Sequence, residues 1–212
     1  MRITLADLFM HFILAIIAIA ISGCSVISHE GIQSVSVAPD DRSFAFSYRK
    51  GNESLVAVNK IDESISTIVL RSKDGTKYDR PIFSDNGQEL FFIAREKHDQ
   101  GDLYVVGITG SGLRQITHGQ EGAENIQDLA LSGDGNTIYY INSGFYGHYS
   151  PIASSHPHNM DFYSIHKDGT GLERLSYSNS YTLHGVSIPP SGKNIRAFKH
   201  PELKETAAFY SL

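Results

Sequence analysis

From about residue 33 onward, short apolar runs alternate with clusters of Gly, Asp, Asn and Ser. The runs are rich in Phe, Tyr, Ile and Val, which fit a pleated, packed surface, so each predicts a β-strand. Helical periodicity is absent from any convincing face of the stretch. Two ten-residue phrases share one pattern: SDNGQELFFI (84–93) and SGDGNTIYYI (132–141). Each has Ser, two turn formers, Gly, two polar residues and then four apolar ones. VAPDDRSFAFS (37–47) follows the same pattern, and IPPSGKNIRAF (188–198) follows it more loosely. The aligned Ala38, Ser84, Ser132 and Pro189 stand 46, 48 and 57 residues apart. Periods of this size predict a repeat architecture.

Each unit repeats one internal order. A short first strand (34–37, 81–83, 128–131, 185–188) precedes the Asp/Asn/Gly turn, whose residues tolerate the positive φ of a tight hairpin. The second strand is the apolar run, as in 89–93 and 137–141, continuous enough to be buried on both faces. Third strands follow at LVAVN (55–59), LYVVG (103–107) and FYSIH (162–166). Fourth strands follow at ISTIVL (65–70), LRQIT (113–117) and LERLS (172–176). Four antiparallel strands per unit describe a propeller blade. The expected fold is therefore all-β: a β-propeller of about four four-stranded antiparallel blades. The fourth unit is incomplete, with residues 207–212 as its third strand. Residues 25–28 (SVIS) are expected to supply its missing fourth strand and close the ring, which would leave no sheet edge bare; the alternative is an incomplete propeller, an open arc or one completed by a partner.

LYVVGITGSGLRQITHG (103–119) and FYSIHKDGTGLERLS (162–176) resemble the strand, D-G, R-x-L-T phrase of TolB-type propellers. PIFSDNGQELFFI (81–93) resembles their P-x-W-S-P-D-G-x-x-I-x-F phrase, with Phe83 where that family usually has Trp. The resemblance spans about residues 33–198. It implies the fold and leaves the function open, because such repeats occur in TolB, in prolyl-oligopeptidase-type peptidases and in oligogalacturonate lyases.

The N-terminal 23 residues have a different character. Arg2 precedes an apolar run from Leu8 to Ile21, too short for a comfortable membrane span, as in a secretory signal. Ile21-Ser22-Gly23-Cys24 resembles a bacterial lipobox, which implies signal removal and lipidation of Cys24. Residues 1–23 are thus read as a lipoprotein signal peptide and 24–212 as the propeller domain. Ser25, where Asp tends to retain enterobacterial lipoproteins at the inner membrane, implies an outer-membrane anchor facing the periplasm.

Composition narrows the chemistry. Formal net charge is -5, which supplies no basic excess for a phosphate backbone and excludes nucleic acid as a partner. Cys24 is the single cysteine, so the chain can form neither an internal disulfide nor a thiolate zinc site. No G-x-S-x-G stretch, P-loop or dinucleotide fingerprint is present. The sequence calls for no cofactor and names no catalytic residue.

Two features remain. Ten histidines occur, and His184, before a first strand, is the best-placed single metal candidate. Scattered loop histidines are more often solvated than ligating, so no metal site is expected. The second feature is the connection 142–161, NSGFYGHYSPIASSHPHNMD, far longer than its siblings. Its Phe145, Tyr146, His148, Tyr149, His156 and His158 form a candidate recognition loop on a rigid scaffold, the alternative being a tolerated surface insertion or a flap over the channel mouth. The sequence thus points away from an enzyme. It points to a lipid-anchored periplasmic propeller that binds or scaffolds an envelope protein. The alternative is a carbohydrate-active, oligogalacturonate-lyase-like or sugar-binding propeller with a His-based site.

Overall fold

A computed structural model describes residues 30–96, 101–118, 125–148, 155–189, 192–199 and 206–211. The first blade contains β1 (Gly31–Val37), β2 (Ser43–Lys50), β3 (Glu53–Lys60) and β4 (Thr67–Ser72). The second contains β5 (Lys77–Phe83), β6 (Glu89–Arg95), β7 (Gly101–Gly107) and β8 (Arg114–Gln115). The third contains β9 (Ile126–Leu131), β10 (Thr137–His148), β11 (Ser155–His166) and β12 (Glu173–Arg174). The fourth contains β13 (Leu183–Ser187), β14 (Asn194–Lys199) and β15 (Thr206–Ser211). Within each blade, sequential strands pair antiparallel. Among the described residues three sheets have four strands and the last has three. Residues 25–28, the expected closing strand, and Cys24 lie outside the described residues.

The recurrent phrase is explained by its turn. In the second blade Ser84 Oγ accepts the N–H of Glu89 at 3.0 Å and donates to Asn86 Oδ1 at 2.8 Å. In the third, Ser132 Oγ accepts the N–H of Thr137 at 2.9 Å and donates to Asp134 Oδ1 at 2.6 Å. The left-handed residue is Gly87 (φ 69°) or Gly135 (φ 70°), and Asp41 (φ 54°) or Gly192 (φ 65°) in the outer blades. A side-chain hydroxyl thus closes a turn that only a residue at positive φ can complete.

Apolar runs become blade-to-blade cores. Ala45, Val56 and Val69 pack on Leu90, Phe92 and Val106 between blades one and two. Phe91, Ile93, Leu103 and Ile116 pack on Leu129, Ile138, Tyr140 and Ile165 between blades two and three. Ile141, Met160 and Phe162 pack on Leu183, Ile195 and Ala197 between blades three and four. Because β6 faces a neighbour on each side, its Leu90 to Ala94 are all buried, as its unbroken apolar run predicts. The first strands of successive blades neighbour one another along the axis.

Three expectations need correction. The fourth strands are shorter or displaced: β4 begins at Thr67, leaving Ile65 exposed, and β8 and β12 hold two residues each. Side chains take over from the ladder there. The N–H of Leu103 donates to Thr117 Oγ1, which donates to Asp102, and the N–H of Phe162 donates to Ser176 Oγ, which donates to Asp161. Next, His184 lies within β13, not ahead of it. Finally, most of 142–161 is not a loop. β10 and β11 run twelve residues each, with Phe145 opposite His158, Tyr146 opposite Pro157 and Gly147 opposite His156.

Candidate binding site at the blade axis

The start of each first strand turns polar where the blades converge. Ser34, Arg80, Asp128 and Gly185 each stand four residues before the aligned Ala38, Ser84, Ser132 and Pro189. These four equivalent positions are joined in sequence. Ser34 Oγ accepts the N–H of Arg80 at 2.9 Å. Arg80 Nη1 lies 3.1 Å from Asp128 Oδ1. Asp128 Oδ2 accepts the N–H groups of Gly185 at 2.7 Å and Val186 at 3.0 Å. One residue per blade therefore forms a relay across all four blades.

Arg80 is held unusually. It has φ 51°, a left-handed conformation that costs a side-chain-bearing residue about 1–2 kcal/mol. The strain is anchored by its N–H, shared between Ser34 Oγ and its neighbour Asp79 Oδ1 at 2.9 Å each. Pairing between β5 and β6 shifts register over the same residues. The bulge and Pro81 together turn the guanidinium onto Asp128. Burial pushes the Asp128 carboxyl above the usual carboxylate range, while Arg80 and the N–H groups of Val186, Leu129 and Gly185 pull it down.

Beside this relay lies a cavity of about 320 Å³ lined by Arg49, Lys77, Asp79, Arg80, Arg95, Gln127 and Pro157. Among the described residues, four cationic side chains and the Asp79 carboxylate line it. Lys77 and Arg95 are direct partners across β5 and β6, so both side chains stand at the same level of the sheet. Arg49 projects from β2 opposite Gly31, and its Nε is buried without a hydrogen-bond partner among the described residues. Pro157 comes from β11, so the long hairpin of the third blade forms part of the wall.

The expected recognition residues fall around this hairpin. Phe145, Tyr146 and His148 lie on β10 and His156 and His158 on β11; Tyr149 lies outside the described residues. The His158 ring stacks on Tyr181 with centroids 6.3 Å apart. His184 stacks on Phe198 at 5.8 Å, away from the cavity lining. Among the described residues no group of three or more His, Cys, Asp or Glu side chains could hold a metal. Sequence reasoning missed the axial relay and the cationic lining. The repeat alignment held the signal: one polar position per first strand, filled in turn by Ser, Arg, Asp and Gly.

No family model and no curated protein matches the chain. Solved structures do. TolB from Acinetobacter baumannii superposes with a TM-score of 0.64 at 14% identity, over 86% of this chain and 41% of that one. A chain of a nidogen/laminin complex gives 0.63 at 12% identity, over 86% and 62%. An oligogalacturonate lyase from Vibrio parahaemolyticus gives 0.57 at 12% identity, over 85% and 51%. The fold is that of a TolB-like β-propeller. The chain spans between about two-fifths and three-fifths of the length of these solved chains. At such identities the likeness defines the fold and leaves function to the site.

Proposed function

We propose that this chain is a non-enzymatic, lipid-anchored propeller of the cell envelope that binds a partner protein. Cys24 holds it to the outer membrane on the periplasmic side, and residues 24–212 form the binding domain. The partner docks where the β10–β11 hairpin borders the axial cavity, with Phe145, Tyr146, His148, Tyr149, His156 and His158 as contact residues. One observation supports this reading above others. β10 and β11 reach twelve residues each, against eight for β2 and β3 and seven for β6 and β7, and their extension walls a charged cavity. A rigid scaffold that projects one long hairpin beside a polar recess suits protein recognition.

The test is capture from solubilised envelopes with the tagged full chain. Shortening the hairpin to the eight-residue strands of the first blade should leave the β-sheet circular dichroism unchanged and abolish partner capture. Capture that survives the deletion would sink the reading. Cys24→Ser should release the protein from membranes and prevent palmitate labelling.

A further inference from the structure

We propose that two copies of this chain close head to tail into one ring, the outer face of each first blade packing on the outer face of the other copy's fourth blade. The inference goes beyond the partner-binding reading and does not depend on it.

The repeat alignment shows which face of a blade is built to be covered. With Ala38, Ser84, Ser132 and Pro189 equivalent, Phe44 and Phe46 align with Leu90 and Phe92, with Ile138 and Tyr140, and with Ile195 and Ala197. In the second, third and fourth blades these pairs are buried against the preceding blade. Val35 and Val37 likewise align with Leu129 and Leu131 and with Val186 and Ile188, which pack into the same two later cores. The first blade carries this apolar face too, but there it is open to solvent. Val35 is 57% exposed and Val37 62%. Val35 lies opposite Phe46 and Val37 opposite Phe44, so all four side chains share one side of the sheet. Phe44 and Phe46 are half-buried, with ring centroids 6.0 Å apart. A sheet face meant for water alternates to polar residues at such positions, and a contiguous apolar one marks an interface.

The other end of the chain supplies the cover. Phe91 and Ile93 of the second blade, and Tyr139 and Ile141 of the third, reach forward onto the next blade. At the aligned positions the fourth blade has Arg196 and Phe198. Phe198 is 51% exposed and stacks on His184 with centroids 5.8 Å apart. Arg196 gives this face a polar component, as suits a contact between chains that are each soluble before they meet. All three interior contacts join a forward face to a backward face. The fourth blade's forward face and the first blade's backward face are the remaining pair, and one contact of the same kind would bury both. Within one chain both stay exposed, so the contact is made between copies. Such a heterologous contact repeats until its rotation closes. Propellers typically hold about four to eight blades, and two copies of four sheets make eight, the one multiple beyond a single chain that fits.

Analytical ultracentrifugation of the full chain in density-matched detergent tests the stoichiometry. The protein mass should be twice that of one chain. Val35→Glu or Phe198→Glu, each at an exposed position, should halve it without changing the circular dichroism. Disulfide trapping tests the place of contact. Ile93 and Leu129 share one core, and Ile141 and Val186 share another; Phe198 and Val35 are the equivalent pair across the proposed contact. In a Cys24→Ser background, Val35→Cys mixed with a differently tagged Phe198→Cys should cross-link on mild oxidation into a dimer bearing both tags. Neither variant alone should cross-link. A single-chain mass at every protein concentration overturns the proposal, and so does a double mass that both Glu substitutions leave intact. A ladder of larger species would mean that the contact runs on as a filament, which overturns the ring. A chain carrying both Cys substitutions that cross-links only within itself would show four blades closing alone, which overturns the second copy. Hairpin-dependent envelope capture by a monomer would sink this inference and leave the partner-binding reading standing.

Discussion

Asp128 and Arg80 show how single residues tie the blades together. Asp128 is 4% exposed and accepts the buried N–H of Leu129 and the part-buried N–H groups of Gly185 and Val186 in the next blade, so its removal strands a buried donor as well as deleting the inter-blade contact. Leaving buried donors unpaired costs about 1–3 kcal/mol. Asp128→Ala should therefore lower the urea midpoint by a stability change of that order, and Asp134→Ala, at an exposed turn, by much less. The turn aspartates set the acid behaviour. Hydrogen bonds from Ser72 and Thr76 hold Asp74 down to about 2, and turn hydrogen bonds also lower Asp40, Asp134 and Asp168. Groups depressed on folding contribute stability that is complete above the ordinary carboxylate range and is lost as pH falls through the folded value. Asp128, raised by burial, acts with the opposite sign. The urea midpoint should thus fall between about pH 4 and pH 2, and less steeply in Asp74→Asn. The turns were legible in the sequence because Ser, Asp, Asn and Gly have local conformational roles. The relay was not, since Ser34, Arg80, Asp128 and Gly185 share a position but no chemistry until the fold brings them together.

Among the elements, the buried strands were read most securely. The run in β6 is apolar on both faces because a blade packs on each side. The extended hairpin reads as a loop in the sequence for the same reason in reverse. Asn142 to His148 carries no sustained apolar alternation, because its pairing rests on main-chain bonds beyond the blade core. Likewise β8 and β12 contribute two residues each, and the side chains of Thr117 and Ser176 finish the pairing. Strand positions also control how closely blades approach. A methyl group on Gly101 would lie 2.6 Å from the Ile126 carbonyl oxygen, a rigid backbone atom of the next blade. Gly101→Ala should destabilise by about 1–3 kcal/mol through overpacking, read from the same urea transition. Gly133→Ala, which meets nothing within 4 Å and has no positive φ, is the control and should shift stability little.

On the scale of the whole molecule, the described residues distribute stability over the interfaces between successive blades. Each of the three cores lies between adjacent sheets, so each blade is stabilised chiefly by the one before and the one after. The repeat period made this arrangement legible, while the closing strand expected at residues 25–28 lies outside the described residues. The fourth blade is the informative end. Its described core is the cluster of Leu183, Ile195 and Ala197 against Ile141, Met160 and Phe162, and its outward Phe198 is 51% exposed. Ile195 is fully buried, and truncating such a side chain costs about 2–5 kcal/mol. In a chain of nearest-neighbour interfaces that loss falls first on the element that owns the residue. Native-state hydrogen exchange of Ile195→Ala should therefore show β13 and β14 amides losing protection. Amides of β6 and β7, enclosed by two intact cores, should retain theirs. A uniform loss across both blades would mean that the blades unfold as one cooperative unit.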